Sequence, residues 1–378
     1  MARQTNLLWA STGHGKTALL LTFARGLWLE RKLKTRLVSA EKAQSEGMLR
    51  EGIEAGWIIP WWIDDRREAD GSVTTPFERM TDAMLGKWPL DLANPFSPLV
   101  SAFSIQYKAV CRNVEKHQDK ADVLVYQSDK PTNVVAQLKC PKCSQAVVLE
   151  TVRVVTDKRL EEVGAYFLEG LTEFGAIMMQ NMAQRAAKGE STGGDIPVRF
   201  QDGGLWIGAA TRGHYGTAQS QIKNKVGESR HLPVDYVWWT AGREDGKDSD
   251  RNVTVFGPKL PGSAATADVP RWFGTTLSCC AVPVTAGANG QPGDVKLEYR
   301  LYLKPYRQHW IDTIKMMENV VDNRIPPERL KGIPDYVKID HEQAQIEVAG
   351  IKMKPETILW EITKLIESRQ NPPTKIIA

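Results

Sequence analysis

Four residues near the start of the chain have the types and the spacing that hold a phosphate group. They lie in "ASTGHGKT" and are Gly13, Gly15, Lys16 and Thr17. Glycines let a loop aim its backbone N–H groups at one point, and the N-terminus of a following helix adds free amides and a dipole. The lysine brings positive charge to a phosphate, and the threonine hydroxyl is a ligand for Mg²⁺. The stretch therefore predicts a phosphate-binding loop, which we call the glycine loop (residues 10–17).

The glycine loop departs from the usual pattern at its first position, where Ala10 replaces a glycine. We expect a methyl group to be tolerated there, because this position closes the loop onto the strand and contacts phosphate less than the others do. His14 is expected to offer its backbone N–H, with a direct catalytic role as the alternative. For the whole loop, the alternative is an ordinary strand-to-helix turn. The residues predicted to contact a nucleotide are Ser11, Thr12, Gly13, His14, Gly15, Lys16, Thr17 and Ala18.

Two glutamates follow apolar stretches with strand character. Glu169 ends "GAYFLE", and Glu41 ends "RLVSAE". The carboxyl ends of parallel strands meet at one edge of a sheet, so we expect both side chains beside the glycine loop. We predict that Glu169 and Thr17 hold Mg²⁺ and that Glu41 orients an attacking water. The alternatives are a solvated carboxylate at a strand end for Glu169 and a structural position beside a helix start for Glu41.

The segments around these residues alternate between strand and helix. The stretches "TNLLWA" and "TRLVSAE" have strand character, and "GKTALLLTFARGLWLERK" has the apolar face of a buried helix. A strand, a helix and a second strand imply a right-handed parallel crossover. We therefore predict an α/β fold with a central, mostly parallel sheet flanked by helices. Its two parts are predicted at 1–89 and 157–326, followed by a C-terminal extension at 327–378.

The segment 90–156 is predicted to be a small β-rich insertion, because it carries short apolar stretches such as "ADVLVYQSD" and "SQAVVLETVRVV". Within it, Cys140 and Cys143 form a Cys-x₂-Cys pair with the spacing of a zinc-knuckle turn. Cys111 and His117 would complete a Cys₃His zinc site. A remnant knuckle without metal and a redox pair are the alternatives.

Two tryptophan pairs are expected to serve packing. Trp238 and Trp239 fall in a strand that would be covered on both sides, so they should point to opposite faces of the sheet. Trp61 and Trp62 follow a proline and are expected to pack in the core or the insertion. Their alternative role is to cover an adenine ring or a neighbouring subunit.

The composition sets limits on the class of protein. The chain has 378 residues and 42% hydrophobic content, which suffices for one large core with an embedded module. A net charge of +4 is too small to indicate a polyanionic partner. Five cysteines argue against a disulfide framework and fit a reducing compartment, with Cys279 and Cys280 expected in the core. We see no secretory signal and no apolar run long enough to span a membrane, so a cytoplasmic location is expected.

The order of the motifs resembles that of the RecA-like ATPases, and most closely the recombinase-type ATP-binding proteins of bacteriophages. The matching stretches are "ASTGHGKT", "VSAE", "YFLEGLTEF", "HYGTAQSQIKNK", "VDYVWWTAGRED", "GPKLPGSAATADVPRWFGTTL" and "YRLYLKPY". The resemblance covers about 1–60 and 160–326 and leaves out the insertion. It implies a RecA-like P-loop NTPase fold, ATP as substrate and Mg²⁺ as cofactor.

The resemblance also implies roles for individual residues. Glu41 would polarise the attacking water, Glu169 would hold Mg²⁺ through water, and Thr240 would lie near the position that senses the γ-phosphate. Members of this family often assemble head to tail with the nucleotide at the interface, which implies a homo-oligomer. Lys259 or Arg271 would then be supplied to a neighbouring subunit, and a solvated loop residue is the alternative for each.

Single-stranded DNA is a further partner implied by the resemblance, held by two loops at 188–204 and 242–252. A groove that follows a nucleic-acid backbone needs positive charge and aromatic rings. The basic residues of the two loops are Lys188, Arg199, Arg243, Lys247 and Arg251. The second loop carries at least as many acids as bases, so solvated loops are the alternative.

These observations lead us to expect an ATP hydrolase that acts on single-stranded DNA in phage recombination or replication. Stimulation by DNA and slow turnover are both left open. Two other functions stay open as well. One is a virion or assembly component that keeps the nucleotide-binding fold as a scaffold, and the other is a partner of a replicative helicase that resembles a helicase loader.

Overall fold

A computed structural model describes most of the chain. The described residues are 4–40, 47–63, 66–67, 73–84, 87–89, 99–129, 138–187, 199–202, 205–208, 212–248, 253–260, 269–285, 295–305, 307–309, 316–319, 321–340 and 342–371. The chain divides into two compact units. The first unit is Met1–Thr81, Val163–Arg230 and Val234–Ala378, and the second unit is Asp82–Glu162 and His231–Pro233.

The described part of the chain contains α-helices and short 3₁₀ segments. The helices are α1 (Lys16–Arg31), α2 (Gly47–Glu54), α3 (Pro76–Met84), α4 (Leu171–Ala187), α5 (Arg212–Ser229) and α6 (Ile358–Gln370). The 3₁₀ segments are Val114–Lys116, Lys158–Glu162, Val269–Trp272, Pro327–Arg329 and Pro355–Thr357.

The strands fall into three groups along the chain. The first group is β1 (Gln4–Trp9), β2 (Lys34–Ser39), β3 (Ile58–Trp62), β4 (Arg66–Arg67) and β5 (Val73–Thr74). The second is β6 (Lys87–Pro89), β7 (Leu99–Ser101), β8 (Phe103–Cys111), β9 (Val123–Ser128) and β10 (Val148–Val155). The third is β11 (Val163–Glu169), β12 (Arg199–Asp202), β13 (Leu205–Gly208), β14 (Tyr236–Ala241), β15 (Arg243–Asp248), β16 (Val253–Pro258), β17 (Thr275–Thr285), β18 (Val295–Tyr302), β19 (Arg307–His309), β20 (Met316–Asn319), β21 (Tyr336–Ile339), β22 (Ile346–Val348) and β23 (Ile351–Met353).

The first unit is built on an eight-stranded mixed sheet with the order β21-β18-β17-β1-β14-β11-β2-β3. The six strands from β17 to β3 are parallel, and β18 and β21 are antiparallel to their neighbours. The α/β class predicted from the sequence is therefore confirmed. Since parallel strands end at one edge, the carboxyl ends of β1, β14, β11 and β2 lie side by side there.

Helices cover both faces of this sheet, as the two buried tryptophans of β14 show. Trp238 packs against Phe23 of α1 with ring centroids 5.7 Å apart, and Trp239 packs against Phe174 of α4 at 5.7 Å. Both tryptophans are 1% exposed. The prediction that they point to opposite faces is confirmed, because successive side chains of a strand alternate between faces.

Helix α6, in the segment predicted as a C-terminal extension, packs directly on α1. The ring centroid of Trp360 lies 5.2 Å from that of Phe23, and its indole N–H donates to Glu30 at 2.7 Å. A Cβ atom built on Gly26 of α1 would lie 2.5 Å from Cβ of Trp360. The absence of a side chain at Gly26 therefore lets the two helices approach closely. Strand β21, also within 327–378, forms one edge of the main sheet.

The second unit contains a three-stranded antiparallel sheet with the order β10-β8-β9. Two of its strands, β9 and β10, coincide with stretches that the sequence indicated. The buried apolar residues of this unit include Ala102, Phe103, Ala109, Val110 and Leu160. The core formed by the described residues of this unit is small, and small cores are commonly reinforced by cross-links or a bound metal.

One predicted loop is a strand in the structure. The sequence predicted a charged loop over 242–252, but β15 spans Arg243–Asp248 and pairs antiparallel with β16. Its charged residues suggested a solvated loop, whereas pairing with a neighbouring apolar strand decides the backbone conformation. Of the other loop, 188–204, residues 188–198 and 203–204 lie outside the described residues, and 199–202 form β12, which pairs with β13.

Within the described part of the chain, the helices are too short or too polar to cross a membrane.

Candidate functional site

The glycine loop connects β1 to α1 at the carboxyl edge of the main sheet. Gly13 and Gly15 have φ angles of 77° and 82°, in the left-handed region that favours glycine. The backbone N–H of His14 donates to the carbonyl of Ser11 at 3.3 Å, which closes a tight turn. The glycines at these two positions are therefore required by the backbone conformation of the loop.

Ala10 lies where the loop leaves the strand. It is buried, and its N–H donates to the carbonyl of Ala241, at the end of β14, at 3.1 Å. This residue fastens the loop to the neighbouring strand. The methyl group of Ala10 therefore sits in the packed sheet, as expected for the position that replaces the usual first glycine.

The start of α1 has the properties of an anion site. Its N-cap residue, Gly15, provides no side-chain hydrogen bond to the first turn, and the first turn contains no acidic residue. The leading N–H groups of this 16-residue helix thus carry the positive end of the dipole, with no acidic residue in the helix's own first turn to neutralise it. Lys16 and Thr17 occupy this first turn and are 7% and 6% exposed.

Glu169 joins the helix start to the end of β2. Its carboxylate accepts a hydrogen bond from the hydroxyl of Thr17 and a second one from the hydroxyl of Ser39 at 2.9 Å. Glu169 is 1% exposed. A buried carboxylate flanked by two hydroxyl oxygens offers the hard oxygen ligands that Mg²⁺ prefers. The sequence predicted the pairing of Thr17 with Glu169, but it did not identify Ser39.

Thr240 lies at the end of β14, between the strand that leads to the glycine loop and the strand that ends in Glu169. Its hydroxyl accepts a hydrogen bond from the backbone N–H of Gly170 at 2.8 Å. A second threonine, Thr172, accepts from Gly242 N–H at 2.8 Å and donates to the carbonyl of Lys259 at 2.8 Å. These bonds tie the ends of β11, β14 and β16 together and hold the edge of the sheet rigid.

His14 anchors the tip of the glycine loop to β17. Its Nδ1 accepts the backbone N–H of Ala281 at 3.1 Å, and its carbonyl accepts the thiol of Cys279 at 3.4 Å. Partial burial, followed by the charges of Arg243 and Lys16, lowers the pKa of His14. A neutral ring is what an acceptor Nδ1 requires, so hydrogen bonding and electrostatics agree. The side chain thus has a structural role that the sequence did not indicate.

A cavity of about 570 Å³ opens beside the glycine loop. Residues 12–17 form one end of it, and the first turns of α1 form its side. Cys279, Tyr299 and Ile339, from β17, β18 and β21, also line it. Its volume is within the range typical of small-molecule sites. No local sequence signal could have identified these wall residues, because they join the site only when three distant strands enter the sheet.

The structure places the remaining predicted site residues as follows. Glu41 and Lys188 lie outside the described residues, as does Arg251. Lys259 is exposed and held by its backbone to Gly242 at 2.8 Å. The carbonyl of Arg271 accepts a hydrogen bond from the guanidinium of Arg324 at 3.1 Å.

The predicted cysteine and histidine residues of the second unit form a cluster. The ligand atoms of Cys111, His117, Cys140 and Cys143 all lie within 4.8 Å of one another. Sγ of Cys140 lies 3.5 Å from Nε2 of His117, and the two sulfurs of Cys111 and Cys143 are 3.6 Å apart. Tetrahedral zinc with its usual bond lengths separates its ligand atoms by about 3.5–3.8 Å. The cluster therefore has the geometry to bind a structural zinc ion.

The surroundings of Cys140 favour the form that binds metal, whereas burial and the neighbouring thiols raise the pKa of the Cys111 thiol and the hydrogen bond to Ala121 raises the pKa of His117. Nδ1 of His117 lies 2.7 Å from the carbonyl of Ala121, which leaves Nε2 directed at the sulfurs. Burial opposes ionisation of the Cys140 thiol, but the backbone N–H groups of Cys143 and Lys142 and the neighbouring thiols outweigh it and lower its pKa to about 6. A thiolate at neutral pH is the form that ligates zinc.

A scan of the sequence against models of protein families gives no match. A search among curated proteins gives no match either.

Proposed function

We propose that the first unit is a RecA-like P-loop ATPase that binds ATP·Mg²⁺ at the glycine loop. The observation that carries this proposal is the hydrogen bond between Thr17, in the first turn of α1, and the buried carboxylate of Glu169. These residues are 152 positions apart in the chain. Their contact brings a helix N-terminus, a lysine and an acidic strand end to one point beside a cavity, which is the set of groups that a nucleoside triphosphate requires.

Each residue of this set has a role that follows from its chemistry. The N–H groups of residues 11–18 would surround the phosphates, and Lys16 would neutralise the β- and γ-phosphate oxygens. Thr17 and Glu169 would hold Mg²⁺, with Ser39 orienting the carboxylate. Mg²⁺ supplies neutralisation of the charge that develops on the phosphates. Thr240 is buried, and its hydroxyl would hold the backbone of Gly170, next to Glu169, in position. Glu41 keeps its proposed role of orienting water.

A direct test is to measure the binding and hydrolysis of MgATP by the wild-type protein and by Lys16→Ala. The exposed residue Lys331 supplies the control variant, Lys331→Ala. We expect Lys16→Ala to weaken binding by about 100-fold, or about 2.7 kcal/mol, and to reduce turnover to background. The control should match the wild type. Absence of MgATP binding by the wild-type protein would contradict the proposal.

The proposed biological use is DNA recombination or replication on single-stranded DNA, by a homo-oligomer in the cytoplasm of a phage-infected host. The support is the resemblance of the motifs, together with the positive charge of Arg243, which acts on His14 of the glycine loop. The test is fluorescence anisotropy with a labelled single-stranded oligonucleotide, with and without ATP and at two salt concentrations. If neither nucleotide state shows salt-dependent binding, the scaffold role in a virion or the role of helicase partner replaces this one.

For the second unit we propose that the Cys₃His cluster binds a structural zinc ion. The close approach of its four ligand atoms supports this proposal, as does the thiolate character of Cys140. Elemental mass spectrometry of the purified protein should find one zinc per chain. Substitution of Cys140 by serine should remove it, and substitution of Cys280, which lies outside the cluster, should not.

A further inference from the structure

The four ligand residues of the Cys₃His cluster differ in their exposure to solvent. Cys111 and Cys140 are 1% exposed and His117 is 3% exposed, whereas Cys143 is partly exposed. Cys143 also lies in a surface turn, because residues 141–142 and 144–146 on either side of it are exposed. Of the four ligands, Cys143 is therefore the one that a small solute reaches most readily.

Backbone hydrogen bonds fix the turn that carries Cys140 and Cys143. The N–H of Ser144 donates to the carbonyl of Cys140 at 2.8 Å, and the N–H of Cys140 donates to the carbonyl of Gln145 at 2.9 Å. The turn thus holds Cys140 inside the cluster and Cys143 at its surface, so the difference in exposure is a property of the fold.

A second sulfur lies beside that of Cys143. It belongs to Cys111, the last residue of β8, and the two Sγ atoms are 3.6 Å apart. A disulfide bond is about 2.0 Å long, so a closure of about 1.6 Å would join them. Zinc keeps its cysteine ligands ionised, and the thiolate is the form that reacts with oxidants. An accessible thiolate next to a second cysteine is the arrangement typical of redox-sensing sites.

The two cysteines of the first unit lack these properties. Cys279 is buried and its thiol donates to the carbonyl of His14 at 3.4 Å, and burial raises its pKa to about 12. Burial also raises the pKa of Cys280, whose sulfur lies 3.8 Å from the hydroxyl of Tyr302. Neutral thiols react slowly with oxidants, so these two residues are an internal reference for the cluster.

We propose that the Cys₃His cluster is a redox-reactive site, at which a peroxide joins Cys143 to Cys111 and releases the zinc ion. This inference rests on the proposed binding of zinc by the cluster. The thiolate of Cys143 attacks one peroxide oxygen, the O–O bond breaks, and a sulfenic acid and a hydroxide ion form. The thiolate of Cys111 then attacks the sulfur of the sulfenic acid, which forms the S–S bond and expels a second hydroxide ion.

The electrons and protons of these two steps balance. The two sulfurs lose two electrons, hydrogen peroxide gains them, and the two hydroxide ions take up two protons to become water. Zinc is left with Cys140 and His117 alone, and two ligands are too few for a structural site. The same reaction reverses when a dithiol reduces the disulfide and zinc is supplied again.

Treatment of the zinc-loaded full-length protein with hydrogen peroxide tests the proposal. A colorimetric zinc indicator and a thiol reagent should record the loss of one zinc and two thiols per chain. Peptide mapping by mass spectrometry should find Cys111 joined to Cys143, with Cys279 and Cys280 reduced. Dithiothreitol with added zinc should restore the original zinc and thiol content. Cys280→Ser is the matched control, and it should release zinc as the wild type does.

Cys143→His tests which ligand the oxidant attacks. Histidine keeps a set of four ligands that zinc accepts, but it removes the exposed thiol. We expect this variant to retain zinc and to lose it to peroxide about tenfold more slowly than the wild type, or slower still. Zinc release at the wild-type rate would overturn the proposal. If the variant binds no zinc, the peptide map of the wild type decides.

Two results with the wild type would overturn the inference while leaving the zinc site in place. The first is retention of zinc and of every thiol under peroxide. The second is zinc release with a disulfide that does not join Cys111 to Cys143. A purified protein without zinc, which also binds none when zinc is added, would instead overturn the proposed zinc site, and this inference would fall with it.

Discussion

The two units of the chain hold their candidate sites in position by different physical means. In the first unit, the glycine loop and Glu169 stand at the edge of a sheet whose strands and helices are packed into a large apolar core. In the described part of the second unit, a three-stranded sheet buries few apolar side chains, and four metal-ligand side chains converge within 4.8 Å. The first site depends on a core that exists without any ligand. The described residues of the second unit form a small core, so we expect the bound metal to contribute to the folding of this unit.

The two kinds of site respond differently to substitution. A site carried by a core loses function when one of its own residues is altered, but its scaffold stays folded. A site that supplies part of the folding energy loses the scaffold together with the ligand. The following experiments compare effects on function with effects on folding in the two units.

Removal of the metal should have the largest effect. Incubation with a strong zinc chelator, or the substitution Cys140→Ser, is expected to unfold the second unit, since structural zinc contributes about 10 kcal/mol or more in small zinc domains. Hydrogen exchange measured by mass spectrometry should show loss of protection in Phe103–Cys111 and none in Val163–Glu169. Cys280→Ser is the matched control. Retained protection of β8 after full chelation would show that this unit is stable without metal.

Glu169→Gln should have the second largest effect, and on function rather than on folding. The neutral amide is a weaker ligand for Mg²⁺ than the negatively charged carboxylate, so we expect the hydrolysis of MgATP to fall by about 100-fold, equivalent to about 2.7 kcal/mol. Glu54→Gln, on the exposed face of α2, is the control. The rate is measured over a Mg²⁺ titration. Equal rates and equal Mg²⁺ dependence in the two variants would refute the assigned role of Glu169.

A packing variant tests the scaffold of the first unit. Gly26→Ala should lower the free energy of unfolding by about 1–2 kcal/mol, because the added methyl would collide with Trp360, and overpacking outweighs the gain in helix propensity. Gly216→Ala in α5 is the opposite case, since a Cβ atom there meets nothing within 4 Å. It should stabilise the protein by about 0.5–1 kcal/mol. Denaturant titration measures both, and stabilisation by Gly26→Ala would show that α1 and α6 are not tightly packed.

The smallest effect is expected from the titration of His14. Its pKa is lowered in the folded protein, so the unfolded chain takes up the proton first as the pH falls. The contribution of His14 to stability is therefore present above about pH 6.5 and is lost as the pH falls through its lower folded pKa. Unfolding free energies at several pH values between 7.5 and 5 should show this loss in the wild type and not in His14→Asn, whose amide oxygen can still accept from Ala281. If the unfolding free energies of the wild type and of His14→Asn changed with pH in the same way, this prediction would be contradicted.

Much of the first site could be inferred from the sequence because its signals are local. The spacing of Gly13 and Gly15 before Lys16 follows from the backbone angles of one short loop. The apolar stretch before Glu169 indicates a buried strand of a parallel sheet, so Glu169 is expected at the carboxyl edge of that sheet. In the second unit, the Cys-x₂-Cys spacing of Cys140 and Cys143 indicated a metal site. The structure brings Cys111 and His117 to this pair, as the sequence predicted.

The residues that were missed have no such local signal. Ser39 meets Glu169 across 130 positions of the chain, and nothing around it distinguishes it from other serines at strand ends. Arg243–Asp248 was predicted as a loop because its charges are typical of solvated segments. Its pairing with Val253–Pro258 depends on a neighbouring strand, and strand propensity is decided largely by such neighbours.

Residue types and short spacings in this chain were enough to indicate the α/β class, the glycine loop, Lys16 and Thr17, and the strand end at Glu169. They act through backbone angles and hydrophobic periodicity, which depend on residues close in the chain. The order of the eight strands, the contact of Ser39 with Glu169 and the wall made by Tyr299 and Ile339 came from packing between distant segments. Such pairing is chosen by the free energy of the whole core, and no short stretch of sequence contains that information.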